Sequence, residues 1–136
     1  MKITIYTDGA SRGNPGPSSY GFSIRDNKGK LLHDEGRYIG IATNNFAEYS
    51  AVLNAFKHIQ KNLPNVLEIN FFMDSKLVVE QLSGRFKIKS PNLRILISEI
   101  KNLEKNFGKI TYKHIPRELN SYADLLANKA LDSHLT

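Results

Sequence analysis

Four carboxylates of this chain stand where one kind of segment gives way to another: Asp8, Glu48, Asp74 and Asp124. Asp8 closes the alternating run Lys2-Ile-Thr-Ile-Tyr-Thr-Asp8, and Glu48 falls in the first turn of a long amphipathic stretch. Asp74 follows a second apolar run, and Asp124 opens the last helical segment. Such positions can converge at one end of a sheet. Like charges gathered in a partly buried site raise one another's pKa, so the four cannot all stay ionised without cations. Hard oxygen donors suit Mg²⁺ or Mn²⁺. The chemistry this predicts is metal-dependent phosphodiester hydrolysis.

The elements that must position these groups follow from periodicity. Residues 2–8 alternate as a strand, and the Gly/Pro-rich stretch Gly9–Pro17 reads as a tight turn. Tyr20–Arg25 is a second strand, Asp26-Asn-Lys-Gly29 a hairpin turn, and a third strand lies within Leu31–Ile41. From Asn45 to Leu63 the stripe Glu48, Val52, Ala55, Ile59, Leu63 has helical spacing, and Pro64-Asn65 stops it. Val66–Met73 reads as a strand and Ser75–Ser83 as a short helix, followed by a helix from Pro91 to about Asn106. The last strand is Lys109–Ile115 and the last helix Ser121–Asp132. The order βββαβααβα predicts an α/β fold, an antiparallel meander whose sheet is extended by right-handed crossovers. Residues 1–136, without repeat or linker, fit a single domain.

Helix capping competes with metal binding for three of the carboxylates. Asn45-Phe-Ala-Glu48 and Ser121-Tyr-Ala-Asp124 have capping-box spacing, and Asp74 could cap the helix that begins at Ser75. Two observations weigh against capping. Glu48 falls on the apolar stripe of its helix, and Asp8 precedes no helix at all. The turn containing Ser11, Gly13 and Asn14 exposes backbone N–H groups and one amide, a surface able to meet ribose hydroxyls and base edges. Thr43, Asn44 and Asn45 form a second polar cluster directly before Glu48. Arg85, Lys87 and Lys89 alternate in a short connection, read either as a solvated loop or as a phosphate-contacting edge. Of the four histidines only His114, ten residues before Asp124, is a catalytic candidate.

Composition narrows the classes. A hydrophobic content of 40% over 136 residues suits a soluble globular chain. With no cysteine, disulfides, thiolate metal sites and a cysteine nucleophile are excluded. No apolar run is long enough to span a membrane. The opening residues run straight into a strand, so no signal peptide is expected and the expected location is the cytoplasm. Lys and Arg number 19 against 13 Asp and Glu; with four acids neutralised, nine oppose nineteen bases and the rest of the surface is nearer +10. That balance favours a polyanionic partner such as nucleic acid.

Four motifs carry a resemblance to type 1 ribonuclease H: Tyr6-Thr-Asp-Gly-Ala-Ser-Arg-Gly-Asn-Pro-Gly-Pro17, Thr43-Asn-Asn-Phe-Ala-Glu-Tyr49, Phe72-Met-Asp-Ser75 and Asn120-Ser-Tyr-Ala-Asp-Leu-Leu-Ala127. Their order and separations make the match specific, and it spans nearly the whole chain. The resemblance implies a five-stranded mixed sheet of order 3-2-1-4-5 and endonucleolytic cleavage of the RNA strand of an RNA–DNA hybrid, leaving 5′-phosphate and 3′-hydroxyl ends. It implies that Asp8, Glu48, Asp74 and Asp124 bind metal, that Asn14, Asn44 and Asn45 read the minor groove, and that Thr43 holds a DNA phosphate. Two Mg²⁺ ions ~3.5–4 Å apart are the expected cofactors, with Mn²⁺ as substitute. The expected partner is hybrid, with double-stranded RNA as a second candidate, no membrane, and a monomeric state.

The chain also departs from the family pattern. The basic protrusion of some members is absent, leaving Arg85, Lys87 and Lys89, and Ile41 stands where many members carry Arg. His114-Ile-Pro-Arg-Glu118 resembles a subgroup in which an arginine, here Arg117, takes over part of the role of a mobile histidine. His114 and Arg117 are therefore both candidates for the auxiliary catalytic role. A non-catalytic hybrid- or duplex-RNA-binding module of the same fold is the alternative, and it predicts a lost carboxylate. A 3′→5′ exonuclease of related fold predicts Asp-x-Glu on the first strand, where this chain has Asp8-Gly9-Ala10.

Overall fold

The computed structural model describes residues 1–135 apart from 86, 88 and 89. Five strands form one sheet: β1 (Lys2–Ser11), β2 (Gly16–Asp26), β3 (Leu31–Ala42), β4 (Glu68–Met73) and β5 (Lys109–His114). Their order is β3-β2-β1-β4-β5, with β1–β2 and β2–β3 antiparallel and β1–β4 and β4–β5 parallel. The meander and two crossovers are thus as expected. Four helices complete the fold: α1 (Asn44–Asn62), α2 (Lys76–Leu82), α3 (Pro91–Glu104) and α4 (Ser121–Leu135). A short 3₁₀ turn at Arg117–Leu119, not anticipated from the sequence, precedes α4.

Alternation puts Ile3 and Ile5 of β1, Tyr20, Phe22 and Ile24 of β2, and Ile69, Phe71 and Met73 of β4 on one face, all closed to solvent. The expected stripe of α1 packs there, with Val52, Ala55 and Ile59 fully buried, and α2 and α3 add Val78, Leu82 and Ile100. Non-directional burial of this apolar surface drives the fold, and the alternation decides which face receives it. On the opposite face α4 crosses β2 closely: a Cβ at Gly21 would stand 2.6 Å from the carbonyl oxygen of Ala123. Ser19 Oγ donates to the carbonyl of Ala127 across the same contact.

Several boundaries differ from the sequence reading. Gly9–Pro17 is not one turn: β1 continues to Ser11 and β2 begins at Gly16, so only residues 12–15 connect them. Cross-strand pairing of Asp8 with Gly21 through to Ser11 with Ser18 overrides the local turn propensity. β4 begins at Glu68 rather than Val66, because Val66 N–H closes a turn onto Leu63 O at 3.3 Å. α4 runs three residues past Asp132 to Leu135.

Candidate active site

β1 pairs with β4 only as far as Tyr6 with Phe72; beyond that point β1 continues against β2 alone. The two strands part there, at their carboxyl ends, which is where open α/β sheets place ligand crevices. Asp8 lies on β1 just past the parting, and Asp74 directly follows Met73 at the end of β4. Asp8 is thus inside its strand rather than at its end.

Glu48 comes to the same place from α1. A Cβ on Gly9 would meet Glu48 N at 2.6 Å, so glycine lets the helix backbone lie against β1 beside Asp8. One oxygen from each of Asp8, Glu48 and Asp74 falls within 4.8 Å of the others. Asp124, in the first turn of α4, acts on Asp8's ionisation from outside this trio. Asn128, one turn on, holds Asp124 by donating to its backbone carbonyl at 2.9 Å and to Oδ1 at 3.1 Å.

The electrostatics follow from the crowding. Burial, then the charge of Asp74, then the interaction with Asp124 push the Asp8 carboxyl up to about 8. Burial, followed by the charges of Asp8 and Asp74, holds Glu48 well above the ordinary carboxylate range, against the pull of the Gly9 N–H. Glu48 Oε2 is also buried without a hydrogen-bond partner. An all-oxygen set with an orphaned acceptor and two carboxylates that resist ionisation fits a hard divalent cation, whose charge would reverse all of these penalties.

Capping, the rival explanation, is taken over by other residues. Thr43, not Asn45, caps α1 and accepts from Phe46 N at 3.1 Å, so Glu48 lies beyond the first turn. Ser75, not Asp74, caps α2, accepting from Val78 N at 3.3 Å. At α4 the carbonyl of Asn120 accepts from Asp124 N at 3.2 Å, which places the cap at Asn120 rather than Ser121.

Asn120 is also the functional residue that motif reading left without a role. It is 1% exposed, and its Nδ2 donates to Thr7 O at 2.8 Å and to Asp74 Oδ2 at 3.4 Å. One amide thus ties β1 to Asp74 where the strands diverge. The only sequence signal was an asparagine directly before the last helix.

Four of the candidate nucleic-acid residues gather at the start of α1. Asn14, Thr43, Asn44 and Asn45 line an open cleft of about 890 Å³, faced across by Asn92 at the start of α3. Asn14 Oδ1 accepts from Asn44 N at 3.0 Å, joining the β1–β2 turn to α1. Ser11 Oγ donates to Gly13 O and braces the turn, where Gly13 takes φ +114°. Arg12 ties the same turn to Asp132 of α4. In the basic connection Arg85 is paired with Glu80, Lys87 is exposed, and Lys89 lies outside the described residues. His114 ends β5 opposite Met73, and Arg117 opens the 3₁₀ turn, both exposed. Among the described residues, no hydrogen bond or ion pair joins either side chain to the carboxylates.

Residues 6–130 match the family model described as reverse transcriptase-like. The chain is 38% identical over 131 residues to ribonuclease HI of Halobacterium salinarum, covering 96% of this chain and 65% of that protein. It is 43% identical to the bifunctional protein Rv2228c of Mycobacterium tuberculosis, covering 98% of this chain but 36% of the relative, so it spans about a third of that protein's length. Among solved structures, LC11-RNase H1 in complex with RNA/DNA hybrid superposes with a TM-score of 0.94 at 41% identity, covering 99% of this chain and 100% of that one. The H. salinarum RNase H1 structure gives a TM-score of 0.92 at 38% identity, covering 98% of this chain and 99% of that one. With the motifs, the strand order and the carboxylate site in agreement, the chain belongs to the type 1 ribonuclease H family.

Proposed function

We propose that this chain cleaves the RNA strand of RNA–DNA hybrids endonucleolytically, leaving 5′-phosphate and 3′-hydroxyl ends. The observation that carries this is the convergence of Asp8, Glu48 and Asp74 within 4.8 Å at the parting of β1 and β4. These three, with Asp124, would hold Mg²⁺, or Mn²⁺ in its place. Bound there, divalent metal supplies charge neutralisation at the phosphate and an acidified water. The chain's own residues do the rest. Asp8, as the most central carboxylate, would hold the metal against β1, and Asn120 keeps Asp74 turned toward the site.

Recognition falls to the asparagine cleft. Asn14, Asn44 and Asn45 offer both donors and acceptors for base edges and 2′-hydroxyls across a wide minor groove, and Thr43 accompanies a phosphate of the DNA strand. That LC11-RNase H1 was solved with RNA/DNA hybrid, at 41% identity to this chain, supports the assignment of substrate. The alternative of a non-catalytic binding module gains nothing from the site, because all four carboxylates are kept.

A labelled hybrid incubated with Mg²⁺, with Mn²⁺ and with EDTA tests the reading, with double-stranded RNA and DNA duplex alongside. Cleavage confined to the RNA strand of hybrid and dependent on metal is expected. Equal cleavage in EDTA would sink the metal-dependent reading. Cleavage of double-stranded RNA would widen the substrate class.

A further inference from the structure

Asp124 is the carboxylate whose aim the site itself does least to fix. It stands outside the trio of Asp8, Glu48 and Asp74, and the Asn120 amide steadies Asp74 instead. Its support comes from its own helix. Asp124, Asn128 and Asp132 follow one another at steps of four on α4, so the three share one stripe. Asn128 Nδ2 donates to Asp124 Oδ1 at 3.1 Å and to Asp124 O at 2.9 Å, which ties the carboxylate to the helix backbone. At the other end of the amide, Asn128 Oδ1 faces Arg12 Nη2 at 3.5 Å, and the same nitrogen donates to Asp132 Oδ1. Reversing the amide would set its oxygen against two oxygens of Asp124 and its NH₂ against a guanidinium. Every contact therefore selects one orientation.

Helix stability gives little reason for this arrangement. An amide–carboxylate pair four residues apart stabilises a helix only slightly. The Arg12–Asp132 ion pair, with side chains 45% and 60% exposed, adds little more. What distinguishes the series is where Arg12 comes from. It belongs to the connection between β1 and β2 that also carries Asn14, whose Oδ1 accepts from Asn44 N at 3.0 Å. Its backbone is braced there: Arg12 N donates to Pro17 O at 2.8 Å, and a Cβ on Gly16 would stand 2.3 Å from Arg12 O. Asp132, Arg12, Asn128 and Asp124 thus link the turn bearing a candidate groove-reading amide to a candidate metal ligand. Groups that orient a metal ligand without touching the metal are worth ~10–100-fold in affinity or activity.

We propose that Asn128 is a positioning residue for Asp124, aiming its carboxylate at the metal site, and that Arg12 sets the Asn128 amide, so that the turn bearing Asn14 and Asp124 are placed together. The inference rests on the reading that Asp124 holds metal. The Arg12 contact, at 3.5 Å, is the weaker link, so Arg12 counts for less than Asn128.

Mn²⁺ binding to the folded protein without nucleic acid, measured by calorimetry, provides the test, with Asp8→Asn as the control that assigns the heat to this site. Asn128→Ala and Asn128→Leu both remove the amide, and both replacements favour helix more than asparagine does, so α4 should keep its stability. Each should weaken Mn²⁺ binding about 10-fold or more. Each should also lower kcat on hybrid with KM unchanged. Arg12→Ala should weaken Mn²⁺ less, and Arg12→Lys, which keeps the charge but not the fork, should restore part of that loss. Unchanged Mn²⁺ affinity in both Asn128 variants would overturn the proposal and leave a helix-surface pair only. A lower Tm with intact Mn²⁺ affinity would do the same. Arg12→Ala raising KM with Mn²⁺ affinity intact would assign Arg12 to the nucleic acid and overturn its part. Wild-type protein that binds Mn²⁺ yet leaves hybrid uncut would defeat the cleavage reading and not this one. Absence of Mn²⁺ binding at the wild-type carboxylates would defeat both.

Discussion

The carboxylate end and the asparagine cleft both draw on the start of α1, Glu48 in one and Asn44 and Asn45 in the other, yet they treat their polar groups in opposite ways. At the carboxylates, burial and like charge leave Asp8 and Glu48 resisting ionisation and Glu48 Oε2 unpartnered. In the cleft the groups are already braced: Asn14 to Asn44 N and Thr43 to Phe46 N, with Ser11 bracing the adjoining turn through Gly13 O. The first region withholds its own satisfaction so that a cation can supply it. The second is organised before substrate arrives, which limits the entropy lost on binding. Chemistry and recognition thus carry different energetic signatures, and substitutions should separate them.

The largest effect is expected at Asp8. Asp8→Asn replaces a carboxylate ligand by a weak neutral one, and should cost well over the ~10–100-fold typical of residues that only orient a metal ligand. The same substitution should stabilise the metal-free protein. Folded Asp8 keeps its proton to about 8 while the unfolded group loses it near 3.8. Between those values the folded state binds more protons, so stability falls as pH rises. In EDTA at pH 8, Asp8→Asn should therefore raise Tm, by about 3–5 °C for each kcal/mol relieved. Thermal melts with and without Mg²⁺ measure it. A lower Tm in EDTA would mean that the carboxylates are not in mutual conflict.

Next comes the auxiliary group. A working proton-transfer histidine is worth ~10²-fold or more in kcat. Arg117→Ala is expected to lower kcat more than His114→Ala does and to leave the shape of the pH–rate profile unchanged, since guanidinium stays charged throughout. A large kcat loss in His114→Ala beside a near-normal Arg117→Ala would reverse this assignment.

A smaller effect belongs to the cleft. Asn14→Ala loses the bond to Asn44 N and should raise KM about fivefold with kcat little changed. A matching fall in kcat would place Asn14 with the chemistry and dissolve the contrast between the regions.

The smallest effect lies in the basic connection. Lys87→Ala should reduce the salt dependence of hybrid binding by ~0.9 if it contacts one phosphate, measured as the slope of log K against log salt. Arg85, already paired with Glu80, should contribute less. An unchanged slope in both variants would leave the connection a solvated loop.

Much of this was legible from the chain alone, for a physical reason. Periodicity of 2 and 3.6 is a local property, so alternation in Lys2–Asp8 and the stripe Val52, Ala55, Ile59 announced a strand and a helix and the faces they bury. Motif order then made the family, the topology and the four carboxylates readable. Other features depend on contacts between residues far apart in sequence, and only the tertiary structure decided them. β1 runs through its glycine because β2 pairs with it as far as Ser11–Ser18. Thr43 and Ser75 take the caps that spacing had offered to Asn45 and Asp74, since a cap is chosen by the backbone angles and hydrogen bonds of one residue. Asn120 reaches Thr7 across 113 positions. Asp8, Glu48 and Asp74 became one site because parting strands and a helix seated against Gly9 brought three distant carboxylates within 4.8 Å.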